Sequence, residues 1–120
     1  MNYGTYNRLR KRYIEEEVKN ASPAKLILMI YDLVIASLKK GDTSKARAGI
    51  RELIDSLDFE KGGALAMNLL SLYGYALRKI HEGNLDEALE VIKPLRDTWV
   101  EAFFKKKLEK TNSEVSGGGS

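Results

Sequence analysis

Few residues in this chain have the type and spacing that chemistry requires. There is one histidine, His81, in 120 residues, and no cysteine. A carboxylate-bridged metal site in a helical bundle needs two Glu-x-x-His pairs, so it cannot be built around His81 and the adjacent Glu82. A serine triad would need that same histidine beside a nucleophile, and no Gly-x-Ser-x-Gly turn is present. Without cysteine there are no disulfides, thiolate metal sites or thiol nucleophiles. The paired glycines Gly62-Gly63 lack the lysine and the preceding strand of a phosphate loop. Asp58 and Glu60 stand before a helix start, where carboxylates stabilise the positive end of the helix dipole. The sequence therefore reads as a non-enzyme with no cofactor or metal, whose function lies in its surface.

The elements behind that surface are helical. Hydrophobic residues make up 43 % and charged residues 31 % of the chain, ordinary for one folded domain, and no long segment alternates like a half-buried strand. Residues 3 to 18 place Tyr6, Leu9, Tyr13 and Ile14 in a narrow apolar stripe, an amphipathic segment that either docks on the rest or leaves it. A second segment opens with Ser22 as N-cap and Pro23 in the first turn and ends at Lys39, Lys40 and Gly41. A third, about 43 to 57, lines up Ala46, Ile50, Leu53, Ile54 and Leu57. A fourth, about 63 to 82, carries Leu65, Leu69, Leu72, Tyr73, Ala76, Leu77 and Ile80. A fifth starts at the Asn84/Glu87 capping-box spacing and reaches about Lys107, with Pro94 producing either a kink or a break. The expected fold is all-α: an antiparallel four-helix bundle over 20–110, preceded by an N-terminal amphipathic segment over 1–19, a possible lid, and followed by a flexible, linker-like tail over 111–120 ending SGGGS.

From Leu26 to Leu38 eleven of thirteen residues are apolar. That is too short for a membrane span and contains Asp32. It is also more than one bundle face can bury, so the surplus arc must meet a fifth helix, another copy or a client. Asp32 is expected either in solvent, paired with an arginine such as Arg78, or holding a peptide backbone. Tyr31, Tyr73 and Tyr75 are core-edge residues or ligand contacts, and Trp99 is core or groove wall. The net charge of +3 comes from basic clusters at Arg8–Arg12 and Lys105–Lys110, which read as solvated helix ends and not as a nucleic-acid surface. No secretory signal precedes the fold, and a cytoplasmic protein is expected.

The stretches ASPAKLILMIYD (21–32), SLDFEKGGALAMNLLSLYGYALRKI (56–80) and LRDTW (95–99) resemble, in order, the blocks of the flagellar secretion chaperone FliS family. The resemblance implies a cytosolic bundle that binds the disordered C-terminal segment of flagellin in apolar grooves and keeps it from polymerising. The client then passes to the type III export apparatus, and contact with the export gate and other flagellar regulators is implied as well. By position, it assigns client contacts to Tyr31, Asp32, Asn68, Leu69, Leu72, Tyr73, Tyr75, Arg78 and Trp99, with Ile27 from the apolar run beside them and Tyr13 in a movable N-terminal lid. Leu33 stands where the family usually has glycine, Ala64 where it usually has glutamate, and the hairpin between the first two blocks is several turns short. The competing reading is a structural or regulatory bundle whose extra apolar face forms a homodimer.

Overall fold

Short polar side chains begin each of the first three helices. Ser22, in extended backbone, accepts a hydrogen bond from the Lys25 amide at 3.2 Å, and Pro23 occupies the first turn of α1, Pro23–Lys40. That satisfies one of the donors that a helix start leaves without a partner. Gly41 ends α1 at φ 77°; its amide bonds the Leu38 carbonyl and that of Asp42 bonds Ser37, the closure that a left-handed residue permits. Asp42 then caps α2, Thr43–Asp55, through the Lys45 amide. Asp58 caps α3, Phe59–His81, by accepting from Glu60 and Lys61. α4 is Leu85–Gly118. The computed structural model describes residues 22–118, with side chains for 22–103; the expected N-terminal segment, 1–19, lies outside the described residues.

α1 packs mainly on α2 and α4, and α3 on the same two helices, so the four run round the bundle in chain order. Their loops are too short for anything but antiparallel neighbours. The core is formed by Val34, Leu38, Ala46, Ile50, Leu53, Ala76, Ile80, Ala88 and Ile92 with Tyr31 and Tyr73. Burying each of the large aliphatic side chains among these stabilises the fold by about 1.5–3 kcal/mol. The all-α bundle is the expected fold.

Two boundaries, the start of α3 and the end of α4, differ from the sequence reading. α3 starts four residues earlier than expected, because Asp58 nucleates a turn before Gly63, where the backbone leaves the helix at φ 49°, ψ −124°. Only glycine holds such angles without strain. α4 passes through Pro94 without dividing in two. Pro94 and Glu90 are both exposed, so the Glu90 carbonyl that loses its donor can bond water. α4 also continues past Lys107 to Gly118, since no proline or glycine interrupts 95–116.

α1 and α2 approach closely at Gly49, where a β-carbon would lie 2.5 Å from Val34 Cγ2. Val34 is fully buried and, being β-branched, has little freedom to turn away. Across the bundle the Tyr31 and Tyr73 hydroxyls hydrogen-bond at 2.5 Å, with ring centroids 6.4 Å apart. Each tyrosine is 3 % exposed. Burial raises the pKa of both, and for Tyr31 the bond to Tyr73 adds to the rise.

Two outcomes follow. Gly49→Ala should lower stability by about 1–2 kcal/mol, the overpacking outweighing the gain in helix propensity. In denaturant melts most of that loss should vanish in a Val34→Ala background. The buried tyrosines hold their protons in the folded state while the unfolded chain releases them near pH 10. Their contribution is therefore intact below that pH and lost as pH rises beyond it. Thermal melts between about pH 9 and 11 should fall more steeply for the native chain than for the double variant Tyr31→Phe/Tyr73→Phe.

Candidate partner-binding face

Turning Tyr73, Ala76 and Ile80 inward fixes what α3 shows outside. At a 3.6-residue period, Leu65, Asn68, Leu72 and Tyr75 then share an outer edge, and all four are exposed. Leu65 is 65 % exposed, Leu72 40 % and Tyr75 36 %; Met67, further round, is 56 % exposed. Large apolar side chains left open in a row on one helix mark an interaction surface more often than chance exposure does. Leu69 is half-buried against the core.

The stripe ends in a polar clasp. The Tyr75 hydroxyl donates to Glu87 Oε2 at 3.3 Å, which places this end of α3 against the first turn of α4. Lys79 Nζ lies 3.2 Å from Glu87 and 3.1 Å from Glu82. These carboxylates raise the Lys79 pKa, and the ammonium holds Glu87 below the usual carboxylate range. The Arg78 guanidinium is 5.7 Å and the Lys79 ammonium 5.3 Å from the Tyr75 ring centre, within range of a cation–π contact. The stripe is thus mostly apolar along its length and ends in a cluster of mixed charge, where Glu82 and Glu87 offset Lys79.

Gly74 is also exposed in mid-helix, round the helix from the stripe and beside Met67 and Arg78. Nothing comes within 4 Å of a β-carbon built on it, so packing within the chain does not require glycine there. A mid-helix glycine costs roughly 1 kcal/mol relative to alanine. In the sequence it stands as a glycine inside a helical pattern.

The sequence-derived site residues divide between this face and the interior. Asn68, Leu72, Tyr75 and Arg78 are on the face, with Leu69 at its inner edge. Tyr31 and Tyr73 point into the core and touch no surface in this conformation. Ile27 is half-buried against the core. Asp32 is exposed and pairs with Arg96 Nε on α4 at 2.9 Å, not with Arg78, which lies on α3. Trp99 is half-buried, its indole N–H donating to the Ala24 carbonyl at 2.9 Å, which ties α4 to the first turn of α1. Tyr13 lies outside the described residues. Leu65, expected in the core, is among the most exposed, because the inward arc of α3 is centred on Tyr73 and Leu65 falls at its edge. Leu33 is 48 % exposed on α1. Among the described residues no helix is long and apolar enough to cross a membrane.

Comparison with known proteins bears on the family. The family model described as flagellar protein FliS matches residues 40–107. The chain is 35 % identical over 108 residues to the flagellar secretion chaperone FliS of Salmonella typhimurium, covering 75 % of this chain and 80 % of that protein. Against the flagellar secretion chaperone FliS of Escherichia coli it is 28 % identical over 117 residues, covering 79 % and 86 %. Against that of Vibrio cholerae it is 26 % identical over 117 residues, covering 80 % and 86 %. No solved structure matches. An all-helical bundle, three sequence blocks in family order and relatives matched over most of their length lead to one conclusion: the chain belongs to the FliS family of flagellar secretion chaperones.

Proposed function

We propose that this protein is a cytoplasmic export chaperone that receives the disordered C-terminal segment of flagellin on the outer edge of α3. The observation that carries the reading is the open apolar row Leu65, Leu72 and Tyr75, with Met67 beside it. A client segment that turns helical on contact lays residues at i, i+3, i+4 and i+7 along such a row. Leu69 and Leu72 supply apolar contact, Asn68 offers an amide to the client's polar groups, and Arg78 attracts acidic positions. Tyr31 and Tyr73 act from inside by fixing the rotation of α3, and Trp99 by holding α4 to α1.

Covering the client's assembly segment keeps it from polymerising. Part of the contact free energy is spent on ordering a chain that was disordered, which leaves a complex weak enough to release. Release to the flagellar type III export apparatus follows from that reversibility.

Calorimetric titration with a peptide from the C-terminus of the cognate flagellin tests this. The expected result is one-to-one binding with a negative heat-capacity change, weakened at least about tenfold by Leu72→Asp, a loss of ~1.4 kcal/mol or more. Gly74→Ala should raise stability by about 0.5–1 kcal/mol in denaturant melts. A folded protein that gives no heat with the peptide, or a stable dimer in solution whose mass the peptide does not change, would overturn the reading.

A further inference from the structure

We propose that the seam between α2 and α3, on the other side of α3 from the apolar stripe, is a second docking face that takes an acidic helical segment of a partner protein. The residues either side of Tyr73 define the two edges. Leu72 precedes it on the edge from which Lys79, two turns further on, reaches Glu87 of α4. Gly74 follows it about 200° round the helix, on the edge toward α2, the other neighbour of α3. Met67, Ser71 and Arg78 share that edge at helical spacing, and all are exposed. On α2, Gly49 stands just before the buried Ile50 and faces Val34 of α1. Arg51, just after Ile50, therefore turns the opposite way, toward α3, and Arg47 shares its edge one turn earlier. Equal counts back from the end of α2 and forward from the break at Gly63 set Arg51 near Met67 and Arg47 near Ser71, to within about a turn.

Two observations on this face point to a partner and to its chemistry. The first is positive charge without a counterion. Arg47 is half-buried and Arg51 exposed, and the ion pairs among the described residues use neither; Asp55, one turn beyond Arg51, does not pair with it. A guanidinium partly out of water gains most from a carboxylate, which it holds by two parallel hydrogen bonds. The second is the floor between the charges. A β-carbon on Gly74 would meet open space, so a second helix can come close there, and Met67, 56 % exposed, offers apolar contact beside it. An amphipathic helix with carboxylates at i and i+4, the spacing of Arg47 and Arg51, and small or apolar residues toward Gly74 and Met67 fits both features. A second copy of this chain does not, because two-fold pairing would set Arg47 and Arg51 against their own counterparts. Nucleic acid does not either, since this edge carries a short row of arginines and no aromatic side chain on which bases could stack. With the stripe on one side of Tyr73 and the seam on the other, one molecule holds its client and an acidic partner together.

A fluorescently labelled synthetic helix of about 18 residues, roughly 27 Å long, with glutamates at i and i+4 beside a leucine–alanine face, tests this by anisotropy against the full-length chain. The expected result is saturable binding that Arg47→Glu/Arg51→Glu weakens at least about tenfold, and that the same variant regains toward a lysine version of the helix. Gly74→Leu should weaken binding as well, by filling the floor, whereas Leu72→Asp should leave it unchanged. All these positions are exposed or half-buried, so each variant should keep a cooperative thermal melt. Saturating flagellin peptide should not displace the acidic helix, and the peptide titration itself should be the same with and without it, so that the client reading stands or falls separately. No binding by the native chain, equal binding of the glutamate and lysine helices, displacement by flagellin peptide, or tighter binding of duplex DNA through the same arginines would overturn the inference.

Discussion

The hydroxyl-to-hydroxyl bond between Tyr31 and Tyr73 sets the rotation of two helices that do not neighbour each other in the bundle. Both tyrosines are 3 % exposed, and each has a polar tip that must find a partner once it leaves water. They find each other. With that contact made, α1 cannot turn about its axis without moving Val34 and Leu38 out of the core, and α3 cannot turn without moving Ala76 and Ile80. A buried donor–acceptor pair inside an otherwise apolar centre specifies an arrangement that aliphatic packing alone would leave more tolerant.

The outer surface follows from that rotation. Once Tyr73 faces in, Leu65, Leu72 and Tyr75 have no interior to occupy, and the fold keeps three large apolar side chains in water. Leaving them there forgoes burial worth about 1.5–3 kcal/mol for a fully buried side chain of that size. Gly74 adds a further helix-propensity cost elsewhere on the exposed side of α3. Neither feature serves the bundle, whereas both suit a surface that closes over a second chain.

The remaining contacts hold the other helices to this frame. Gly49 lets α1 and α2 come together over Val34, Asp32 reaches Arg96 on α4, and Trp99 secures the first turn of α1. The short α1–α2 hairpin keeps its close packing because Gly41 and Asp42 end one helix and start the next within two residues. Glycine at three turns or breaks, Gly41, Gly63 and Gly83, takes the positive φ that the chain reversals need.

The sequence by itself determined what depends on near neighbours. Ser22, Pro23, Gly41 and Asp42 act within a few residues of themselves, so the starts of α1 and α2 and the end of α1 were legible, and with them the all-α bundle, whereas the start of α3 behind Asp58 was not. The blocks around Ser56–Ile80 were enough to suggest the family. What only the tertiary structure decided are pairings between distant positions: Tyr31 with Tyr73, 42 residues apart, Asp32 with Arg96, 64 apart, and Trp99 with Ala24, 75 apart. A broad apolar arc such as that of α3 fits several rotations equally well by periodicity, and Leu65 and Leu72 read as core in one of them. Which edge of the arc faces out is settled by packing across the bundle, because that is where the free-energy difference between the rotations arises.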